Sequence, residues 1–183
     1  MKHIVRKAYW DYEKEEKWLN EMSAKGLALT DYAWCRYTFT DTPNNEYIYR
    51  IEFLENLPTH PESMAYIKFL EENGVEFVAS YLRWVYFRKK SVEGAFDIYS
   101  DLESKIRHFK RIGAFWKVFM YFELIVGLIN IVIGLASIST GEAHIMNLVA
   151  GIITVILGLV FLKLDVQMSK KIKKLQQEKA IRE

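Results

Sequence analysis

Two apolar runs in the C-terminal half set the strongest limit on how this chain folds. Val118 to Ile138 reads VFMYFELIVGLINIVIGLASI, 21 residues in which Glu123 alone is ionisable; as a helix it covers roughly 30 Å of hydrocarbon. Ile145 to Leu162 reads IMNLVAGIITVILGLVFL with no charge, and Lys163 follows where its stem reaches toward headgroups. A small soluble domain rarely buries two helices that are apolar on every face. The prediction is therefore a cell-membrane protein whose two spans are joined by STGEAH, residues 139–144.

Orientation follows from the flanking cations. Lys105, Arg107, Lys110, Arg111 and Lys117 precede the first run, and Lys163, Lys170, Lys171, Lys173 and Lys174 follow the second; the connection has neither Lys nor Arg. The positive-inside rule then predicts cytoplasmic termini and an outward-facing connection. The formal net charge of +2 is too small to argue for direct nucleic-acid binding. Cys35 is the one cysteine, which excludes an intrachain disulfide and agrees with a reducing compartment. Lys2, His3, Arg6 and Lys7 break up the first residues, so no secretory leader is expected there.

Within the runs, small and polar residues recur at helical spacing. Glu123, Gly127, Asn130 and Gly134 lie at i, i+4, i+7 and i+11, and Asn147, Gly151, Thr154 and Gly158 repeat that spacing. Folded about the connection, Gly134 is expected to meet Asn147, Asn130 to meet Gly151, Gly127 to meet Thr154 and Glu123 to meet Gly158. Small residues let helices approach and polar groups bond across the contact. The seam reads as packing within one hairpin, with contact between subunits of a homo-oligomer or a polar pathway as alternatives. Glu123 is the costly member; it snorkels, pairs with Lys117 or stays protonated, and a proton-relay or gating role is the functional alternative.

Residues 1–100 read as a cytoplasmic α+β domain. Strands are expected at His3–Tyr9, Leu27–Thr40, Glu46–Leu54 and Val75–Arg88. One helix runs from the Asp11 cap to Gly26, and a second from Pro61 to Asn73-Gly74. Trp18, Leu19 and Met22 form the buried stripe of the first, and Met64, Ile67 and Leu70 that of the second. The order β-α-β-β-α-β is ferredoxin-like. Alternation puts Tyr47, Tyr49, Ile51 and Phe53 in the core; on the last strand Trp84, Tyr86 and Arg88 alternate with Phe77, Tyr81, Val85 and Phe87, so both faces carry aromatics and the second needs a cover. Residues 101–113 form a basic amphipathic juxtamembrane helix able to lie on that face or on anionic lipid, with a bend at Gly113. Residues 114–164 are the transmembrane hairpin and 165–183 a basic cytoplasmic tail.

The stretches WDYEKEEKWLNEMSAKGLAL, EYIYRIEFLEN, YLRWVYFRK and DIYSDLESKIRHFKRI, followed by two apolar runs, resemble the bacterial family catalogued as domain of unknown function 2812. That family has no assigned activity, so the resemblance carries over no catalytic residue. It implies a companion of PadR-like transcriptional regulators, and regulation or envelope stress response in place of metabolism.

The sequence points to no catalytic, metal or cofactor site. His3, His60, His108 and His144 are scattered, Cys35 stands alone, and neither HExxH nor CxxC occurs. No glycine loop suits a phosphate, and the acid pairs Glu15-Glu16 and Glu71-Glu72 read as solvated helix faces. The leading expectation is a membrane-anchored regulatory or sensory protein whose cytoplasmic domain binds a protein or small ligand through residues such as Trp34, Arg50 and Trp84. The rival is a small oligomeric transport or pore-forming protein packed around Glu123, Asn130 and Asn147.

Overall fold

The computed structural model describes residues 1–99, 101–139 and 145–182, and the chain divides into two compact units, 1–100 and 101–183. Most of the connection expected to face outward, Thr140 to His144, lies outside the described residues.

In the first unit a strand-helix-strand-strand pattern occurs twice. β1 (Lys2–Arg6), α1 (Tyr12–Ala24), β2 (Leu27–Ala33) and β3 (Arg36–Asp41) are followed by β4 (Tyr47–Phe53), α2 (Pro61–Glu72), β5 (Glu76–Tyr81) and β6 (Trp84–Lys90). Each half forms its own antiparallel sheet, ordered β1-β3-β2 and β4-β6-β5. From helix to last strand, residue n of the first half matches residue n + 48 of the second. Gly26 and Gly74 follow the two helices at φ 77° and 80°, the left-handed position that a helix end reserves for glycine. Leu29 pairs with Phe39 and Phe77 with Phe87, and the register then shifts at Leu29/Asp31 and at Phe77/Ala79.

The α+β class and the helical hairpin agree with expectation, but the segments expected as single strands, 27–40 and 75–88, are both hairpins. The chain reverses at Trp34 and Cys35, with φ of 42° and 60°, and at Leu82, with φ of 54°. Turns of this kind ordinarily advertise themselves with Asn or Gly, and these residues do not. The expected β-α-β-β-α-β order is thus β-α-β-β in tandem, on two sheets.

The helices begin and end for local reasons. Asp11 Oδ1 accepts the Glu13 N–H at 3.1 Å, and Pro61 occupies the first turn of α2. Each half then buries matching positions. Leu19, Met22, Tyr37 and Phe39 fill one core, with Trp18 and Leu27 against it. Leu70, Val75, Val85 and Phe87 fill the other, with Tyr66 and Ile67 against it. Phe96 and Ile98 complete the cover over Val85 and Phe87. Met64, expected on the buried stripe of α2, is 58% exposed.

The second half docks on the first through α1 and β2. Tyr49, Ile51, Ala79 and Tyr86 belong to the core of the first half, and α1 closes the outer edge of β4 with side chains. Ser23 Oγ donates to Tyr47 O at 2.7 Å, Asn20 takes the Tyr49 N–H at 2.9 Å and donates to Tyr49 O at 3.2 Å, and Glu16 Oε2 accepts the Ile51 N–H at 2.9 Å. An edge strand leaves such groups unpaired unless something meets them; positions 16, 20 and 23 lie on one helix face. In return, Tyr49 Oη accepts the Leu29 N–H at 2.8 Å and Arg88 donates to Leu29 O at 3.1 Å.

The second unit is an antiparallel pair, α3 (Leu102–Ser139) and α4 (Ile145–Arg182), of 38 residues each, about 57 Å long at 1.5 Å per residue. Both are long and apolar enough to cross a membrane. Only 17% and 11% of their most apolar windows are buried in protein, whereas a core helix of a soluble protein is mostly covered. Ile125, Leu128, Ile129 and Val132 on α3, and Ile152, Ile153, Ile156 and Leu159 on α4, are exposed.

The buried positions recur every seven residues: Ile106, Gly113, Met120, Gly127 and Gly134 on α3, and Gly151, Gly158 and Asp165 on α4. A seven-residue repeat keeps one seam facing its partner helix, and this seam continues from the apolar spans into the charged extensions. Gly113, expected as a bend, therefore lies inside an unbroken helix, where an added Cβ would meet Asp165 Oδ1 at 3.4 Å and Met168 Cβ at 3.5 Å. The juxtamembrane helix expected at 101–113 is the first part of α3, with Ile106, Phe109 and Ile112 buried and Lys171 of α4 over the Phe109 ring at 5.5 Å. Likewise, the tail expected at 165–183 is helical through Arg182.

Candidate functional site

The tips of the two hairpins in the first unit come together. The Trp34 ring lies 5.9 Å from Tyr81, and Tyr32 meets Tyr81 edge-on at 6.0 Å. Trp34 is 75% exposed and Leu82 58% exposed. Ala33 pairs with Arg36, so the turn holds two central residues, Trp34 and Cys35, both at positive φ. A bulky aromatic there is an outlier, and holding such backbone costs on the order of 1 kcal/mol or more. Folding alone favours Asn-Gly at these two positions; an exposed indole on a strained tip is an arrangement suited to contact.

Behind the tips the surface firms up. Trp84, half-buried, lies 4.7 Å from Phe53 and 5.5 Å from Tyr12. The Arg83 guanidinium sits 4.3 Å over Phe53 while its Nε donates to Leu54 O at 2.8 Å. The half-buried Trp84 ring and the Arg83 cation held over the buried Phe53 suit an aromatic or apolar ligand group.

Beneath lies a buried tyrosine-carboxylate group. Tyr37 of β3 and Tyr86 of β6 both donate to Glu15 Oε1 of α1, at 2.6 and 2.7 Å, and the Tyr32 ring is 4.7 Å from each tyrosine. Burial pushes the Glu15 carboxyl above the usual carboxylate range, with the two tyrosine donors acting against it. Burial first, and then the Glu15 charge, push the Tyr37 and Tyr86 hydroxyls up. The group ties both halves together directly under the tips.

Of the residues singled out from sequence, Trp34 and Trp84 belong to this one surface, since Tyr81 pairs with Trp84 across β5 and β6. Arg50 does not join them. It lies 3.4 Å from Glu16 and 5.9 Å from the Phe96 ring, donating to Tyr49 O at 2.9 Å. Glu15 escaped notice as half of a surface acid pair, although its spacing to Leu19 and Met22 puts it on the buried stripe.

In the second unit the seam residues face inward with a different pairing. A Cβ on Gly127 would lie 2.8 Å from Thr154 Oγ1, so that pair is adjacent. The other glycines face aliphatic side chains one position along from the expected polar ones: Gly134 faces Leu148, Gly151 faces Ile131, and Gly158 faces Leu124, each less than 3 Å from an added Cβ. Asn130 donates to Val126 O at 2.8 Å, and Thr154 Oγ1 contacts Ala150 O and Gly151 O at 3.0 Å, all within their own helices. Glu123 and Asn147 are half-buried. Two buried polar groups in the charged extensions, Asp165 on the heptad seam and His108 beside it, were not singled out from sequence. Asp165 is 9% exposed with Lys117 Nζ at 3.9 Å. His108 is fully buried and is pushed down to about 3, first by burial and then by Arg111, Lys105 and Lys171.

A family model described as a protein of unknown function, DUF2812, matches residues 11–121. Comparison with curated proteins and with solved structures yields no match.

Proposed function

The chain belongs to the DUF2812 family, and from that premise we propose that it is a membrane-anchored regulatory or sensory protein whose N-terminal unit binds a protein or small ligand. The observation that carries this reading is the hairpin-tip surface, where an exposed indole is held on strained backbone above a buried, hydrogen-bonded group. The partner class that the family resemblance implies is a PadR-like regulator system. In this reading both termini are cytoplasmic and the second unit is the anchor. The cationic extensions of α3 and α4 on one side of the apolar runs support that orientation.

An anchor accounts for the hairpin better than a pore does. Its glycine notches are filled from within the same chain, Asn130 and Thr154 bond to their own helices, and much of the outward surface is aliphatic. The test is affinity capture from native membranes with the intact protein and with Trp34→Ala. The proposal predicts a specific partner whose recovery falls about tenfold in the variant, the loss expected of a buried aromatic contact, with membrane integration unchanged. Equal recovery with both proteins contradicts it.

A further inference from the structure

The tandem halves offer a template for a second binding face. In the first half, Glu16, Asn20 and Ser23 of α1 hold the edge of β4, beside Leu29 and Tyr32 of β2. The positions 48 residues later are Met64, Lys68 and Glu71 of α2, with Phe77 and Ser80 of β5. These five residues line one groove of about 610 Å³. The surface that the first half uses to receive a strand thus recurs in the second half as an open groove.

We propose that the groove between α2 and β5 receives an extended segment of a partner protein with alternating apolar side chains, as the matching surface of α1 and β2 receives β4. Its floor is apolar: Met64 is 58% and Phe77 37% exposed, and Ile67 lies beside them. Lys68 and Glu71 stand in for Asn20 and Ser23, one able to donate to a strand carbonyl and the other to accept a strand N–H. The segment is held by helix side chains, as α1 holds β4, and the groove continues the interface between the halves by one step.

A second copy of this chain fits the groove poorly. The strand matching β4 is β1, and the sheet face matching Tyr49, Ile51, Trp84 and Tyr86 carries Lys2, Ile4, Arg36 and Thr38. Asp41 also holds the N-terminal amine and His3 beside β1. Charged and hydroxyl groups on an apolar floor lose their water without gaining partners. The inference concerns a different face from the hairpin tips and holds whether or not those tips bind.

The probe is a fluorescein-labelled peptide with the sequence of residues 46–53, EYIYRIEF, titrated by anisotropy against the full chain in detergent micelles. Expected is saturable binding that Met64→Glu and Ala65→Trp each weaken about tenfold, and that Trp34→Ala leaves unchanged. The same peptide carrying Tyr47→Pro, which lacks the backbone donor that Ser23 accepts in the first half and Glu71 would accept in the groove, is expected to lose binding. Both groove positions are exposed, and unchanged circular dichroism verifies folding. No saturable binding, or binding indifferent to the groove variants, overturns the proposal. Self-association of the chain that those variants abolish also overturns it, by assigning the groove to a second copy.

Discussion

Trp34 joins a structural cost to an exposed aromatic surface. Replacing Trp34 and Cys35 together with Asn and Gly relaxes both left-handed positions, and we expect the first unit to gain about 1–2 kcal/mol. Partner recovery falls at the same time. Denaturant unfolding followed through the remaining tryptophans measures the gain; a loss of stability would show that the indole is held for packing. Glu15 gives a pH-dependent counterpart. Because its folded carboxyl is raised by burial, its contribution to stability is full below the ordinary carboxylate range and is lost as pH rises through the raised value. Glu16, also raised by burial, acts in the same direction. Glu15→Gln should therefore remove part of the decline in stability from acid to neutral pH. Subtracting variant from wild type cancels other titrations, and identical slopes would rule the carboxyl out.

At the scale of elements, both helix starts and the end signals near them were legible, because Asp11, Pro61, Gly26 and Gly74 each have one chemical role at a helix boundary. The hairpins were not, because Trp34-Cys35 and Leu82-Arg83 carry no turn signature. Their concealment also hid the tandem pattern, since matching core positions hold different side chains, as in Tyr37 and Val85. In the pair of apolar helices, the recurrence of small and polar residues placed the seam, but polarity misled about its contacts: hydrogen-bonding groups satisfied their own helix, and aliphatic side chains filled the glycine notches. Gly151→Val is the sharpest test there, since an added Cβ would lie 2.9 Å from Gly127 O and 3.0 Å from Ile131 N, both backbone atoms. We expect it to separate the helices and lower the melting temperature of α3 and α4 in detergent, whereas Ile153→Val, on an exposed position, should have little effect. Equal melting of the two variants would contradict the close approach.

The whole molecule combines a two-part domain, tied together by Glu15, with two long helices whose outward surface is suited to lipid. Composition and charge made that division legible, because the apolar runs and their flanking cations are continuous in sequence. The candidate site was only half legible: Trp34 and Trp84 meet through a tip that sequence periodicity read as uninterrupted strand, and Arg50 belongs elsewhere. The most direct test of the account is labelling of intact cells with a membrane-impermeant maleimide. Two proteins serve, one keeping Cys35 as its single thiol and one with Cys35→Ser and Glu142→Cys. The account predicts membrane-bound protein that is labelled at position 142 in intact cells and at Cys35 only after the membrane is opened. Labelling of Cys35 from outside, or recovery of the chain free of membranes after gentle lysis, would contradict it.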